Sequence, residues 1–164
     1  MNRVSLVFVF FSMTCCTMQD KQATPPKDII RDAFPAEQAE VEKTLHDILN
    51  AAQAKDIDRL LAFIADSPKV TKFDDWELDR QDVTTWKKAE RSAFSGVKAF
   101  TPAISNLRVD VFGLVAIATF VFGYDMETER EKISTKARST FVFAKGDSGW
   151  KVVHVHNSAF KSNP

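Results

Sequence analysis

The sequence is poor in cysteine, has no surplus of charge of either sign and lacks a long apolar run. Its only two cysteines are Cys15 and Cys16, so the rest of the chain offers no disulfide, thiol nucleophile or thiolate metal site. The 22 basic residues equal the 22 acidic ones, whereas a nucleic-acid partner requires a basic surplus or stripe. A Gly-rich phosphate loop, a Ser-His-Asp order and a His-Glu-x-x-His motif are also absent. We therefore expect no nucleic acid, metal or cofactor to bind.

The first sixteen residues differ in character from the rest of the chain. Arg3 precedes an apolar run over residues 4–11, which is too short to cross a bilayer as a helix. A basic start, a short apolar run and small residues are typical of a secretory signal peptide. The two cysteines at its end resemble a bacterial lipoprotein signal, so lipidation and simple cleavage both stay open. We predict a protein that is exported, either periplasmic or lipid-anchored at the cell envelope, with no other membrane contact.

Composition divides the chain into four parts. We predict a signal peptide at 1–16, a linker at 17–34, one folded domain at 35–160 and a tail at 161–164. The polar, proline-containing stretch from Gln19 to Lys27 indicates the linker, and it disfavours the alternative that the apolar start is a buried strand.

In the folded part, apolar residues recur first at helical spacing and then at the spacing of strands. A first helix is predicted from Pro35, a second one capped by Asp56, and a third over about 82–94. From Lys98 onward the apolar period is two, which predicts long strands joined by hairpins. Three helices followed by an antiparallel sheet define the α+β class.

The run from Leu114 to Tyr124 is apolar on both faces of its predicted strand. One face holds Ala116, Ala118, Phe120 and Phe122, and the other holds Ile117, Thr119 and Val121. Three short helices can cover only one face, so we predict a homodimer through the outer sheet face. The alternative is that the curl of the sheet and the N-terminal segment cover the second face within one chain.

The last strand pair resembles a known family. The stretch Gly-Trp-Lys-Val-Val-His-Val-His-Asn-Ser over 149–158, with Ala-Lys-Asp-Ile-Asp-Arg-Leu over 54–60, is similar to the SnoaL-like group of the nuclear-transport-factor-2-like superfamily. The association (hub) domain of calcium/calmodulin-dependent protein kinase is especially similar. The resemblance implies three N-terminal helices packed in a strongly curved antiparallel sheet, a cone-shaped α+β barrel with a pocket between them.

The resemblance also implies which residues line the pocket. In hub relatives, arginines on neighbouring strands can hold a carboxylate. Arg138 matches one such position, Asn157 stands at a second and Thr119 at a third. Trp86 matches a helix residue that closes the pocket, and Trp76 is expected at its mouth.

Other residues were candidates for chemistry. His154 and His156 share a strand face, which we expect to carry Trp150 and Val152 as well. A metal site would need a third ligand from elsewhere, such as Asp125 or His46, so a packed or interface pair is favoured over it. Tyr124 shares the Phe120 face and is expected at an interface edge. The acids near the mouth are Asp74, Asp75 and Asp125.

The predicted function is that of an exported small-ligand-binding or assembly module. Its pocket is expected to accept a small apolar or carboxylate-bearing molecule. The alternative is an enzyme of the isomerase, dehydratase or hydrolase type that uses a pocket aspartate as general base.

Overall fold

The computed structural model describes residues 27–74 and 77–159, which form three helices and one six-stranded sheet. The helices are α1 (Pro35–Gln53), α2 (Ile57–Ala62) and α3 (Val83–Phe94). The strands are β1 (Thr71–Phe73), β2 (Gln81–Asp82), β3 (Val97–Phe112), β4 (Val115–Thr128), β5 (Lys132–Gly146) and β6 (Gly149–Ala159). The predicted α+β class is confirmed. The predicted signal peptide, the first part of the linker and the tail lie outside the described residues.

The helix ends follow local sequence signals. Asp56 accepts a 3.1 Å hydrogen bond from the backbone N–H of Arg59 and so caps α2, as predicted. Asp82 caps α3 in the same way through the N–H of Thr85, at 2.8 Å. Lys55 ends α1 in the left-handed region, with φ of 56°. None of the helices in the described part of the chain is sufficiently long and apolar to cross a bilayer.

The sheet has the strand order β2-β1-β6-β5-β4-β3. β3 to β6 are sequential antiparallel neighbours, as predicted. β1 instead pairs parallel with β6. β1 and β6 are not joined by a hairpin, so the two strands need not run antiparallel to each other. The sheet is therefore mixed, and β2 and β3 remain as edges of an open cone.

One extra residue in β6 reverses the alternation of its side chains. Val142 pairs with His154 while Phe143 pairs with Val152, so Val153 is a β-bulge. The N–H and C=O groups of Val152 form hydrogen bonds with the connection between α2 and β1. The prediction that Trp150 and Val152 share a face with the histidines is therefore wrong.

The core lies between the helices and the inner face of the sheet, which is the side turned toward them. Fourteen buried residues form its main cluster, and they are Val41, Leu45, Leu61, Ile64, Val70, Trp86, Val109, Ala116, Ala118, Phe120, Phe143, Trp150, Val152 and Val155. Glu40 fastens α1 to the β5–β6 hairpin, because its Oε2 contacts Lys145 Nζ at 2.6 Å and accepts the Trp150 indole N–H at 2.9 Å. The opposite side of the sheet is called the outer face.

Candidate functional site

A cavity of about 370 Å³ lies between the helices and the inner face of the sheet. Its walls are mostly apolar, and eight of the lining residues are aromatic. These are Phe63, Trp86, Phe94, Phe100, Phe120, Phe122, Tyr124 and Phe141. A space of this size with aromatic walls suits a small organic molecule, since such pockets are mostly apolar with few polar groups.

A polar cluster consists of Lys72, Asp74, Glu90 and Asn157, which line one wall of the cavity, and of the buried Ser139, which contacts Asn157. Lys72 Nζ lies 2.5 Å from Asp74 Oδ2 and 2.9 Å from Glu90 Oε1. The Asn157 amide donates to Asp74 Oδ1 at 3.2 Å and accepts from the Ser139 hydroxyl at 2.8 Å. Every member is thus held by at least one other, which gives the cluster a defined geometry.

The carboxylates keep the Lys72 side chain charged although only 8% of it is exposed. Burial alone lowers the pKa of an ammonium group, and here it is the largest single influence. Glu90 and Asp74 together outweigh it, so the pKa of Lys72 is raised above its ordinary value. The cluster therefore holds one cation and two carboxylates, with a net charge of about −1.

Two short segments bring these side chains together. Lys72 in β1 and Asp74 directly after it point inward while Phe73 is left exposed, which reverses the usual distribution of polar and apolar residues. On α3, Trp86 and Glu90 are four residues apart and so share a helix face. The Trp86 indole N–H donates to Glu90 Oε1 at 2.9 Å, which orients that carboxylate toward Lys72.

The five residues predicted for the pocket do not all lie there. Trp86 and Asn157 line the cavity. Arg138 and Thr119 do not, because both are exposed on the outer face, and their assignment to the pocket is corrected here. The strand register explains this position. Ser139 pairs with Asn157, whose side chain faces the cavity, and Arg138 is the residue before Ser139, so its side chain points to the opposite face of the sheet. Trp76 lies outside the described residues, as does Asp75.

Other expectations for the site also change. Asp74 lies within the cavity wall, whereas Asp125 is exposed on the outer face. Tyr124 shares the face of Phe120 and Phe122 as predicted, but that face is the inner one, so the predicted interface position is wrong.

Sequence reasoning missed Lys72, Glu90 and Ser139. A signal existed only for Glu90, which follows Trp86 at helical spacing. Within residues 27–74 and 77–159, no group of three or more His, Cys, Asp or Glu side chains could hold a metal ion.

The fold and its cavity define the class, which is the NTF2-like cone fold. An NTF2-like superfamily protein from Salmonella enterica serovar Typhimurium is 17% identical, with a TM-score of 0.70 over 80% of this chain and 96% of that one. The CamKII hub homology domain of Chlamydomonas reinhardtii is 20% identical, with a TM-score of 0.59 over 75% and 98%. A protein from Streptomyces avermitilis, named as a candidate dehydratase of the NTF2-like family, is 13% identical, with a TM-score of 0.71 over 78% and 99%.

The family follows from the sequence itself. The family model described as a SnoaL-like domain matches residues 41–161, which is most of the chain. The chain therefore belongs to the SnoaL-like domain family. Comparison with curated proteins gives no match.

Proposed function

We propose that the cavity binds a small, mainly aromatic or alicyclic molecule whose polar group donates hydrogen bonds. The observation that carries this proposal is the polar cluster at one wall of an otherwise apolar space. Its net charge of about −1 favours a hydroxyl, an amine or another donor over an anion. A carboxylate-bearing ligand, one of the two classes that the resemblance left open through Arg138, is disfavoured because that guanidinium lies on the outer face.

Fluorescence titration with N-phenyl-1-naphthylamine tests this proposal. The probe is neutral, aromatic and carries one N–H donor, and its emission rises in an apolar site. We expect saturable one-to-one binding to the full chain. Ala137→Phe and Leu49→Trp place new rings in the cavity wall and should each weaken binding, on the order of tenfold or more.

Arg138→Ala is the matched control, since it alters an exposed side chain outside the cavity. Circular dichroism confirms that each variant is folded. Equal binding by both cavity-filling variants and the control would refute the proposal.

A second candidate is proton-transfer catalysis with Asp74 as the base. It is favoured by a carboxylate beside two donors, the Lys72 ammonium and the Asn157 amide, inside an apolar cavity. Binding stays the first proposal because both oxygens of Asp74 are already engaged, Oδ2 with Lys72 and Oδ1 with Asn157.

The Kemp elimination of 5-nitrobenzisoxazole, a neutral aromatic C–H acid, separates the two candidates. A base in the cavity accelerates the reaction, and Asp74→Asn then abolishes the acceleration. Rates of the wild type equal to those of Asp74→Asn would contradict catalysis by this carboxylate while leaving the binding proposal intact.

We propose further that the protein is exported through its first sixteen residues. Support comes from the basic, apolar and small-residue pattern and from Cys15 and Cys16. Mass spectrometry of the protein from a bacterial envelope fraction tests this. A cleaved N-terminus, with or without added lipid, supports export, whereas an intact N-terminus in the cytoplasmic fraction contradicts it.

A further inference from the structure

The outer face of β6 carries a pair of imidazoles that the cavity does not use. His154 and His156 both point outward because the bulge at Val153 precedes them. On β1, Thr71 lies opposite His154 and Phe73 lies opposite His156. Two of the three histidines of the chain are thus neighbours on one strand face.

Contacts from β1 orient this pair. Thr71 Oγ1 and His154 Nδ1 form a 2.8 Å hydrogen bond, so Nε2 is the nitrogen that His154 can offer to a ligand. The Phe73 ring makes edge contacts with both imidazoles, at centroid distances of 6.3 Å to His154 and 6.0 Å to His156. A fixed imidazole loses less freedom when it binds a metal.

A metal ion coordinates the neutral form of imidazole, so charged neighbours would compete for these rings. On the neighbouring strand β5, the residues opposite the pair are Val142 and Thr140, neither of which competes as a charged partner.

We propose that His154 and His156 form a bidentate chelate for a borderline divalent cation such as Zn²⁺, Ni²⁺ or Cu²⁺. Imidazole nitrogens suit these ions, and Cu²⁺ binds most tightly in the usual order of affinities. The described residues supply no third ligand at this place. Water or an exogenous ligand completes the coordination, so the site is open and of modest affinity.

Isothermal titration with Ni²⁺ at pH 7.5 tests the chelate, using the untagged full chain with Cys15→Ser and Cys16→Ser in every variant to remove thiolate binding. We expect one ion per chain. His154→Asn and His156→Asn should each weaken binding on the order of tenfold or more, because either change converts a chelate into a single ligand. The double variant should lose little more than either single one.

His46→Asn is the matched control, because it removes the remaining histidine, which is exposed on α1. It should leave the affinity unchanged. Thr71→Val should weaken binding by a smaller factor without changing the stoichiometry, since it only frees the His154 ring.

Three results would overturn the proposal. They are a small, additive loss in each single variant, a dependence on His46, and a mass in light scattering that rises above that of the metal-free protein when Ni²⁺ is added. The first indicates independent weak sites, the second a different site, and the third a bridge between molecules.

Discussion

At the scale of single residues, the Lys72 ammonium determines the electrostatics of the cavity. Without it, Asp74 and Glu90 would be two carboxylates facing each other in a mostly apolar environment. Its short contacts join the two carboxylates into a single unit, and its removal would leave both of them without a cation.

Replacement of Lys72 by Met should be strongly destabilising. The side chains are of similar length, but the change leaves the buried Asp74 and the partly exposed Glu90 without their cation, which costs about 3–5 kcal/mol. Urea unfolding measures the free energy of unfolding. Lys69→Met, at an exposed position nearby, is the control and should be close to neutral. Equal stability of the two variants would contradict the role assigned to Lys72.

His154 should make the fold sensitive to acid. Its pKa is lowered in the folded state, mainly by burial, whereas in the unfolded state it is about 6.5. Between these two values the unfolded chain binds more protons, so stability falls as the pH drops below about 6.5. The loss of melting temperature from pH 7.5 to 5.5 should be smaller in His154→Asn than in the wild type. His46→Asn should resemble the wild type.

At the scale of elements, α3 positions half of the site. It carries Trp86 and Glu90 into the cavity wall, and its first turn depends on the Asp82 cap. Asp82→Ala should lower the melting temperature because an N–H of the first turn loses its acceptor. Asp82→Asn should retain most of the stability, since asparagine also caps helices. Equal melting temperatures for both variants and the wild type would contradict the capping role.

The elements also show how far sequence reasoning could reach. Helical and alternating periods located the three helices and the hairpin-linked strands, since periodicity reflects which face meets the core. The assignment of inner and outer faces failed at Arg138 and Thr119. Face assignment depends on strand register, and a single residue reverses it. In β6 the Val153 bulge reverses which side chains face the core. It forms where the backbone of Val152 is hydrogen-bonded to the connection between α2 and β1, and that contact is not visible in the local sequence pattern.

The sequence did not predict the polar cluster, for a related reason. Lys72 on the three-residue strand β1 and Asp74 just after it point inward while Phe73 is exposed, so hydrophobicity alone assigns both polar residues to the surface. Their burial is stabilised by partners on α3 and β6, which are distant in sequence. Trp86 and Asn157, which the resemblance indicated for the pocket, both lie in the cavity wall.

At the scale of the whole molecule, the open sheet leaves one face without helices. On the outer face of β4, Ile117 and Val121 are partly exposed, Val115 is 42% exposed, and the adjoining Leu114 is 67% exposed. We therefore keep the proposal that two chains associate through this face.

Val121→Glu tests the proposed homodimer. A carboxylate on the outer face would be desolvated in the interface, so we expect the mass in solution to fall from two chains to one. Ser92→Glu, on the exposed side of α3, should leave the mass unchanged. A wild-type protein that is monomeric at about 100 μM in light scattering would contradict the proposal.

The ratio of affinities for two matched probes tests the central claim most directly. N-phenyl-1-naphthylamine and 8-anilino-1-naphthalenesulfonate share one ring scaffold, and only the second carries an anion. If the polar cluster selects donors and rejects anions, the neutral probe should bind more tightly, on the order of tenfold, and Glu90→Gln should reduce that ratio because it removes one negative charge. A ratio near one in the wild type, or one that Glu90→Gln leaves unchanged, would contradict the account.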